Sequence, residues 1–400
     1  MEQRGILASA HVIAQSLATI PMWPPLLVTV CLILTSPAFG FQIAPTGSKL
    51  EARLTNEPDS SLIRAAGRLG KLIKRPVHEE ITQIGFDCPV QLDGLRNDVV
   101  CAGSDAGYAE AFVIYGVRWN DMPPFRLSPG QGSKCRKYGF LASPACNASQ
   151  TVRFSTQPDC WLCLFSDAEK VAQTMHIAGC ETGESYVQGT LMTRSHFGDL
   201  QFLHAMANTE GIPAAETQAK LLDWAQFAWR VFDGDFGPDT FLRDIDIPTI
   251  KQHFGCSSWT VSDIYILGAK NLLIKHLSDI AFGSIVHTVQ DSFAEGHVER
   301  GPALSDDTCP GVTSATRPGP IIEFHAYAQQ DGRKHDLRDE RGAMVEAAQS
   351  YDDAIAATQQ LASYWSENKK WAEVKPFFEC IFALDPGNRP SSAGKGFGRD

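Results

Sequence analysis

The sequence predicts an all-α fold, built as a multi-helix domain with a loop-rich, disulfide-stapled N-terminal portion. Apolar residues recur at helical spacing from Ala214 to Phe232 and again from Ala269 to Phe293, and a further helix is expected from about Asp339 to Glu367. No strand-type alternation of comparable length occurs in that half of the chain. Between residues 88 and 163, six cysteines lie among many Gly, Pro and Ser residues, a composition typical of cross-linked loops.

We interpret residues 1–40 as a signal peptide. Their apolar run, from Leu26 to Leu34, is shorter than the roughly 20 residues that a membrane span needs. Small residues follow at Ala38 and Gly40, the two positions that a signal peptidase reads. We therefore expect cleavage after Gly40 and a secreted protein, extracellular or periplasmic, that is not integral to the membrane. An uncleaved apolar anchor is the alternative.

The rest of the chain divides by composition into three parts. Residues 41–75 are polar and then basic, as in a linker or an N-terminal arm. The main domain is expected to span 76–385, with a Cys-rich loop insertion at about 130–190, and residues 386–400 to form a flexible tail. Ten cysteines follow the predicted cleavage point, and an even number in an exported chain predicts disulfides whose pairing the sequence leaves open.

The charge balance argues against one class of partner. The chain has 35 Lys and Arg residues against 46 Asp and Glu residues, which gives a net charge of -11. Affinity for nucleic acid usually rests on basic side chains that neutralise phosphates, so we expect no stable nucleic-acid partner. Phosphate could still be bound through metal cations held by the protein.

One spacing pattern carries chemistry. His287 and Asp291 are four residues apart, so on a helix they project from one face and can share a metal site. His297 follows six residues after Asp291, and Gly296 permits the backbone to turn it back toward that face. Roughly one His-x3-Asp pair is expected by chance in such a chain, but the triplet is much rarer. The pattern predicts two metal ions bridged by one carboxylate.

This triplet resembles the signature of the zinc-dependent phospholipase C and single-strand nuclease superfamily, in which a second His-x3-Asp or His-x3-Glu pair follows downstream. Here His335 and Asp339 form that second pair. The segments GVRWNDMPP, with Asp121, SHFGDLQFLH, with His196, and VHEEIT, with His78, look like the exported zinc metallophospholipase C branch found in bacteria and some fungi. The resemblance implies a multi-helix zinc phospholipase C/nuclease-like domain.

The resemblance also implies a set of ligands for two zinc ions. Imidazole nitrogens and carboxylate oxygens suit Zn²⁺, and an open coordination position distinguishes a catalytic site from a structural one. The first ion would be held by Asp121, His196 and His287, with Asp291 as the bridge, and the second by His297, His335 and Asp339.

The residues match the family's third zinc site only in part. In the family it is held by an early His, the bridging Asp and a mature N-terminal Trp. His78 fits the early His, but the predicted mature chain begins at Phe41, and no Trp follows before Trp119. Three alternatives stay open: further processing, a substitute ligand at Glu79 or Glu80, or a site with two metals only.

The function that the resemblance implies is a secreted, zinc-dependent phospholipase C. It would hydrolyse the glycerol–phosphate ester of phospholipids through a metal-activated hydroxide, with phospholipid head groups at a membrane surface as its partners. Asp121 or Asp199 could orient the attacking water, or a third metal could stabilise the leaving group. The alternatives are a zinc-dependent single-strand nuclease of the same superfamily and a metal-stabilised binding protein without turnover.

Structural roles compete with these assignments. The triplet could be a polar helix end, and His335 with Asp339 an exposed helix start, where an acidic residue favours the dipole. His196 with Asp121 could be a capping pair, and His78 could lie at the surface. Three other histidines are assigned outside the ligand set, namely His204, His276 and His325.

Overall fold

The computed structural model describes residues 77–88, 109–126, 151–152, 161, 164–165, 168, 179–180, 190–267, 273–304, 309–310, 318–339 and 348–399. In this part 57% of the residues are helical and 8% lie in strands, which confirms the predicted all-α class. Three predicted parts lie wholly or mostly outside the described residues: the signal peptide, the N-terminal arm and the Cys-rich insertion.

Helices build most of the described structure. The α-helices are α1 (Val77–Gly85), α2 (Ala111–Trp119), α3 (Leu191–Phe197), α4 (Ala214–Phe232), α5 (Pro248–Phe254), α6 (Val261–Ile266), α7 (Leu277–Asp291), α8 (Gly332–Asp339), α9 (Ala348–Ser366) and α10 (Trp371–Ile381). Short 3₁₀ helices cover Gln201–His204, Leu242–Asp244, Ile274–His276 and Tyr327–Gln329.

The strands form two small antiparallel pairs. They are β1 (Phe125–Arg126) with β2 (Thr151–Val152), and β3 (Val298–Arg300) with β4 (Ile321–Phe324). The register of the second pair shifts between Glu299 and Arg300. This pair matters for the site because β3 begins at the residue after His297.

The predicted helices are found with different ends. The helix from Ala214 to Phe232 has the predicted bounds. The regular α-helix that ends near Phe293 begins only at Leu277, after a 3₁₀ turn. The helix expected from about Asp339 to Glu367 is described as α9, Ala348–Ser366, and Asp339 is the last residue of α8. Sequence periodicity locates a helix better than its ends.

Helix α7 is the centre of the core. It packs against α2, α4, α6 and α9. Every residue from Ile280 to Asp291 is buried, so the helix has no solvent-exposed face over that length. The polar residues near its C-terminal end are therefore enclosed by protein.

Two glycines let α2 and α7 approach each other closely. A Cβ atom at Gly116 would lie 2.2 Å from the carbonyl oxygen of Ile280 and 2.9 Å from the Cα atom of Gly283. A Cβ atom at Gly283 would lie 2.2 Å from the carbonyl oxygen of Val113. The two backbones are thus in direct contact at this crossing, which leaves no room for any side chain.

Disulfides link distant parts of the described chain. Cys180 is bonded to Cys256, and Cys309 to Cys380. Cys88 also takes part in a disulfide. The predicted use of cysteines in disulfides is borne out at these positions. Among the described residues, no helix has the length and apolar character needed to cross a bilayer.

The C-terminal residues differ from the predicted flexible tail. The carbonyl oxygens of Ser391, Ser392 and Phe397 accept backbone hydrogen bonds of 2.7 to 2.8 Å from three separate segments of the chain. Arg389 also forms an ion pair with Glu323 at 3.0 Å. Polar, glycine-containing sequence gives no periodic pattern, but its backbone groups are satisfied here by the rest of the domain. Residues up to 399 therefore belong to the folded unit.

The glycine crossing yields a stability prediction. Replacing Gly283 with Ala should lower the free energy of unfolding by about 1–3 kcal/mol, since the helices must separate to admit the new methyl group. The loss is expected although Ala is favoured over Gly within a helix by about 1 kcal/mol. Urea unfolding of the metal-stripped protein measures it.

Gly237→Ala is the matched control for this measurement. The nearest atom to a Cβ atom there is the Thr240 hydroxyl oxygen at 4.0 Å, so the substitution is expected to leave the urea midpoint nearly unchanged. A Gly283→Ala variant that is as stable as the control would show that the helices do not need this close contact.

Candidate metal centre

The C-terminal end of α7 brings the predicted triplet together. His287 Nε2 lies 2.9 Å from Asp291 Oδ2, as expected for side chains one helical turn apart. After the helix, the chain turns through hydrogen bonds from Ala294 N to Asp291 O and from His297 N to Ala294 O, each 3.0 Å long. The turn brings His297 Nδ1 to 3.7 Å from Asp291 Oδ2.

Three other segments add side chains to this cluster. From α1, His78 Nε2 lies 3.3 Å from Asp291 Oδ1, and its ring stacks on His287 with centroids 3.9 Å apart. Asp121, which follows α2, has its Oδ1 3.8 Å from His287 Nε2. His204 Nδ1 lies 3.0 Å from Asp291 Oδ2 and 3.6 Å from Asp121 Oδ1. The side chains of these three residues, and those of His287 and Asp291, are all buried.

The cluster contains two overlapping groups of donor atoms that could hold a metal ion. One consists of His78, His287 and Asp291, and the other of Asp121, His204 and His287. Within each group the ligand atoms all lie within 4.8 Å of one another. The donors are imidazole nitrogens and carboxylate oxygens, which together suit borderline divalent cations such as Zn²⁺.

Hydrogen bonds outside the cluster orient its imidazoles. His287 Nδ1 donates to the carbonyl oxygen of Val117 at 2.7 Å, and His297 Nδ1 donates to that of His204 at 2.6 Å. Because a carbonyl oxygen can only accept, the proton sits on Nδ1 and the lone pair on Nε2. In metal sites, ligating histidines usually donate their other ring nitrogen in this way.

His78 is oriented by a side chain. Its Nδ1 lies 2.7 Å from Gln290 Oε1, and the Gln290 amide nitrogen donates to the hydroxyls of Thr82 and Thr358 at 3.0 and 3.2 Å. These two bonds fix which end of the amide is the acceptor, so Nδ1 of His78 donates and Nε2 faces Asp291. The alternative in which His78 lies at the surface is wrong, since its side chain is fully buried.

The electrostatics of the cluster favour a bound cation. Burial lowers the pKa of His287 to about 3, so its imidazole is neutral at pH 7. Within the described part, the recorded ion-pair partners of Asp291 are all histidines. A buried carboxylate is costly unless a positive charge or several donors compensate it. A divalent cation at this position would supply that charge.

Two buried polar atoms of the cluster fit the same interpretation. Asp291 Oδ1 and His204 Nε2 have no hydrogen-bond partner in the part of the chain that the structure describes. Buried polar atoms are nearly always satisfied, so exceptions point to a missing ligand or ion. The donor set and these two atoms together fit a metal centre.

His204 is the residue that the sequence interpretation missed. It ends the 3₁₀ helix Gln201–His204 and precedes Ala205, whose φ of 52° is left-handed and uncommon for a residue with a side chain. The carbonyl oxygen of Leu203 accepts hydrogen bonds from Asn120 Nδ2 at 2.7 Å and Thr288 Oγ1 at 2.8 Å. These bonds tie the 3₁₀ helix to α7 and bring His204 to Asp291.

His196, the predicted ligand in this segment, lies one imidazole further away. Its ring centroid is 5.0 Å from that of His204 and 5.0 Å from that of Phe165. Its Nδ1 donates to the carbonyl oxygen of Met192 at 2.9 Å. Neither donor group found among the described residues includes it. Of the two histidines in this segment, His204 belongs to a donor group among the described residues.

The structure describes part of the second predicted pair, His335 and Asp339. His335 on α8 is buried, and its ring stacks on His297 with centroids 4.9 Å apart. Burial lowers the pKa of His335 to about 3. Asp339 ends the same helix, one turn further on, so the backbone places both residues on one face. The side chain of Asp339 lies outside the described residues.

Asp199 has a different environment from the one predicted. Its two oxygens accept hydrogen bonds from Arg194 Nε and Nη2 at 2.8 and 2.5 Å, and His253 Nδ1 lies 2.8 Å from Oδ2. Burial alone would raise the pKa of Asp199, but these bonds outweigh it and lower that pKa. Asp199 thus joins α3 to α5 through a buried ion pair.

Glu79, one of the candidate substitutes for a third zinc ligand, is also engaged elsewhere. Its Oε1 accepts a hydrogen bond from Arg118 Nε at 2.8 Å, and both side chains are largely buried. The pair links α1, which carries His78, to α2, which ends shortly before Asp121. Glu79 therefore helps to position the cluster but belongs to neither of the two donor groups.

The Asp199 ion pair yields a prediction that separates it from the metal centre. Asp199→Asn should lower the free energy of unfolding by about 3–5 kcal/mol, because Arg194 then keeps a buried charge without its partner. The metal content should stay at the native level. Asp223→Asn is the matched control: Asp223 also binds α5, through Thr249, but the recorded contacts are hydrogen bonds only, worth about 1 kcal/mol. Loss of metal from Asp199→Asn would place Asp199 at the centre after all.

Comparison with known proteins identifies no relative. No family model, curated protein or solved structure matches this chain.

Proposed function

We propose that this protein is a secreted, zinc-dependent phospholipase C that hydrolyses the glycerol–phosphate ester of phospholipids. The observation that carries the proposal is the convergence of four imidazoles, from three segments of the chain, on the buried carboxylate of Asp291. The triplet that resembles the phospholipase C and nuclease superfamily supplies this carboxylate and two of the imidazoles. The multi-helix fold of that superfamily is part of the proposal.

The ligands of the zinc ions follow from the donor groups. Asp121, His204 and His287 would hold one ion in this proposal, and Asp291 and His78 would hold a neighbouring one. His297 and His335, whose rings are stacked, form part of a further site together with Asp339. The total is two or three zinc ions.

When bound, such cations lower the pKa of a coordinated water and neutralise charge on the phosphate oxygens. The protein's own residues supply the rest of the chemistry. Asp121, whose Oδ1 lies 3.6 Å from His204 Nδ1 and 3.8 Å from His287 Nε2, would also orient the attacking water in this proposal. Val117 and Gln290 hold the imidazoles in place.

The reaction balances without a redox partner. The oxygen of water bonds to phosphorus, the bond between phosphorus and the glycerol oxygen breaks, and that oxygen takes up a proton. The products are a diacylglycerol and a phosphorylated head group. The burial of the side chains around Asp291 keeps the local dielectric low, which strengthens electrostatic stabilisation of the developing charge.

Charge favours a lipid over a nucleic acid as the substrate. The net charge of -11 disfavours tight binding of a polyanion through basic side chains. Secretion is supported by the disulfides, because they persist in oxidising compartments. A phospholipid presents one phosphodiester at a time, which metal ions alone can neutralise.

Removing the bridging carboxylate tests the metal centre. Asp291→Asn should lose at least one zinc equivalent by elemental analysis and lower turnover by at least about 100-fold. The metal-free variant should be no less stable to heat than the metal-free native protein, because a buried charge has been removed. Asp279→Asn, on the first turn of the same helix, is the control and should keep both zinc and turnover. A variant with native turnover would argue against a catalytic metal.

A substrate comparison tests the reaction. The zinc-loaded protein should release phosphocholine from phosphatidylcholine vesicles, and prior treatment with EDTA should abolish this release. Under the same conditions it should release few acid-soluble nucleotides from single-stranded DNA. Release of nucleotides without phosphocholine would make the protein a nuclease. Bound zinc with neither product would favour a metal-stabilised binding protein.

A further inference from the structure

Residues 389–399, here called the C-terminal strap, run along the side of the centre that carries His297 and His335. The strap is fastened at its start by Glu323 on β4, whose carboxylate accepts hydrogen bonds from Arg389 Nε at 3.1 Å and from Ser392 N at 2.9 Å. The Ser392 hydroxyl donates to the same carboxylate. Glu323 is itself buried, so these bonds are shielded from solvent.

The strap is linked to the turn that presents His297. Gln330 Nε2 donates both to the carbonyl oxygen of Gly296, at 2.7 Å, and to that of Ala393 in the strap, at 2.8 Å. His325 Nδ1 donates to the same Gly296 oxygen at 3.1 Å. Gly296 directly precedes His297, so these two side chains fix the peptide that enters the ligand.

Gly394 of the strap lies directly against the His325 ring. A Cβ atom at Gly394 would be 2.4 Å from Cε1, 2.5 Å from Nδ1 and 2.6 Å from Nε2 of that ring. The Gly394 φ of 84° is also left-handed. Only glycine combines this conformation with so close a contact, and the contact fixes the imidazole that binds Gly296.

The strap also holds the beginning of α8, which carries His335. Asp331 N donates to the carbonyl oxygen of Phe397 at 2.7 Å, and Lys334 Nζ donates to that of Gly398 at 2.9 Å. Arg399 Nε donates to the carbonyl oxygen of Gln330 at 3.0 Å. The same eleven-residue segment is therefore linked to the backbone next to both histidines of the stacked pair. It is linked to Gly296, before His297, through Gln330, and it bonds directly to the beginning of α8, which carries His335.

We propose that the C-terminal strap positions His297 and His335 for a zinc ion, with Gly394, His325 and Gln330 as the positioning residues. This inference rests on the proposed metal centre and adds to it a dependence on residues 389–399. None of the three residues contacts the metal in this proposal. They act by fixing the backbone and ring orientation of the ligands, an arrangement that commonly affects metal affinity.

Two glycines of the strap provide a matched pair of variants. Gly394 and Gly396 both have left-handed φ values, 84° and 90°, so Ala at either position carries the same kind of backbone strain. At Gly396 a Cβ atom would meet no atom within 4 Å, whereas at Gly394 it would clash with His325. A difference between Gly394→Ala and Gly396→Ala therefore reports the contact with His325.

The measurement is zinc content after dialysis against graded concentrations of EDTA. Gly394→Ala should release one zinc equivalent at an EDTA concentration that the native protein and Gly396→Ala withstand, with an affinity at that site about 10- to 100-fold lower. In the cobalt-substituted protein, the visible absorption of that site should change as well. A strap with a purely structural role would lower the melting temperature of both variants without selective loss of one ion.

A second pair of variants guards against a failure of Gly394→Ala to fold. Gln330→Ala removes the amide that joins Gly296 to Ala393, whereas Gln329→Ala alters an exposed neighbour. Selective zinc loss from Gln330→Ala supports the strap, and equal retention in both variants overturns it. Equal zinc loss from Gly394→Ala and Gly396→Ala also overturns it. A native protein without bound zinc would instead refute the metal centre itself.

Discussion

The structure depends on buried carboxylates that face imidazoles. Asp121 and Asp291 are both fully buried, and burial keeps His287 between them neutral at pH 7. Such an arrangement is unfavourable in a protein core unless a cation compensates it. The many hydrogen bonds around the cluster are consistent with this constraint, since a site that must hold a charged ion needs donors of fixed orientation. The same buried residues therefore pack the core and provide the donor atoms that could hold a cation.

The helix crossing and the site are parts of one arrangement. Gly116 and Gly283 allow α2 and α7 to touch backbone to backbone. One residue beyond Gly116, the Val117 carbonyl oxygen accepts the hydrogen bond that orients His287, one turn beyond Gly283. A larger separation of the helices would lengthen that bond and move Asp121 away from the cluster. The glycines thus control ligand geometry although neither has a side chain.

Much of the site could be predicted from the sequence, and the misses have physical reasons. Within one helix and the turn that follows it, sequence separation determines the distance between side chains, so His287, Asp291 and His297 could be predicted to meet. Across a loop, sequence separation does not determine that distance. His196 and His204 are eight residues apart on opposite sides of a helix end, and only the 3₁₀ turn and the bonds to Leu203 decide that the second reaches Asp291. The contact between Asp199 and His253 could not be predicted either, because the two residues are 54 positions apart. The polar C-terminal residues show no periodicity, although several of their backbone groups are hydrogen-bonded to the rest of the described chain.

The position of the strap has a consequence for folding. It reaches α8 directly through Lys334 and reaches Gly296 through Gln330, so this side of the proposed centre is incomplete until residues 389–399 have docked. The other side draws on His78, more than 300 residues earlier in the sequence, so the centre depends on contacts of high sequence separation. Helices can form early from local contacts, whereas the proposed ligands meet only when these distant segments have come together. A metal ion would therefore bind tightly only to the completed fold.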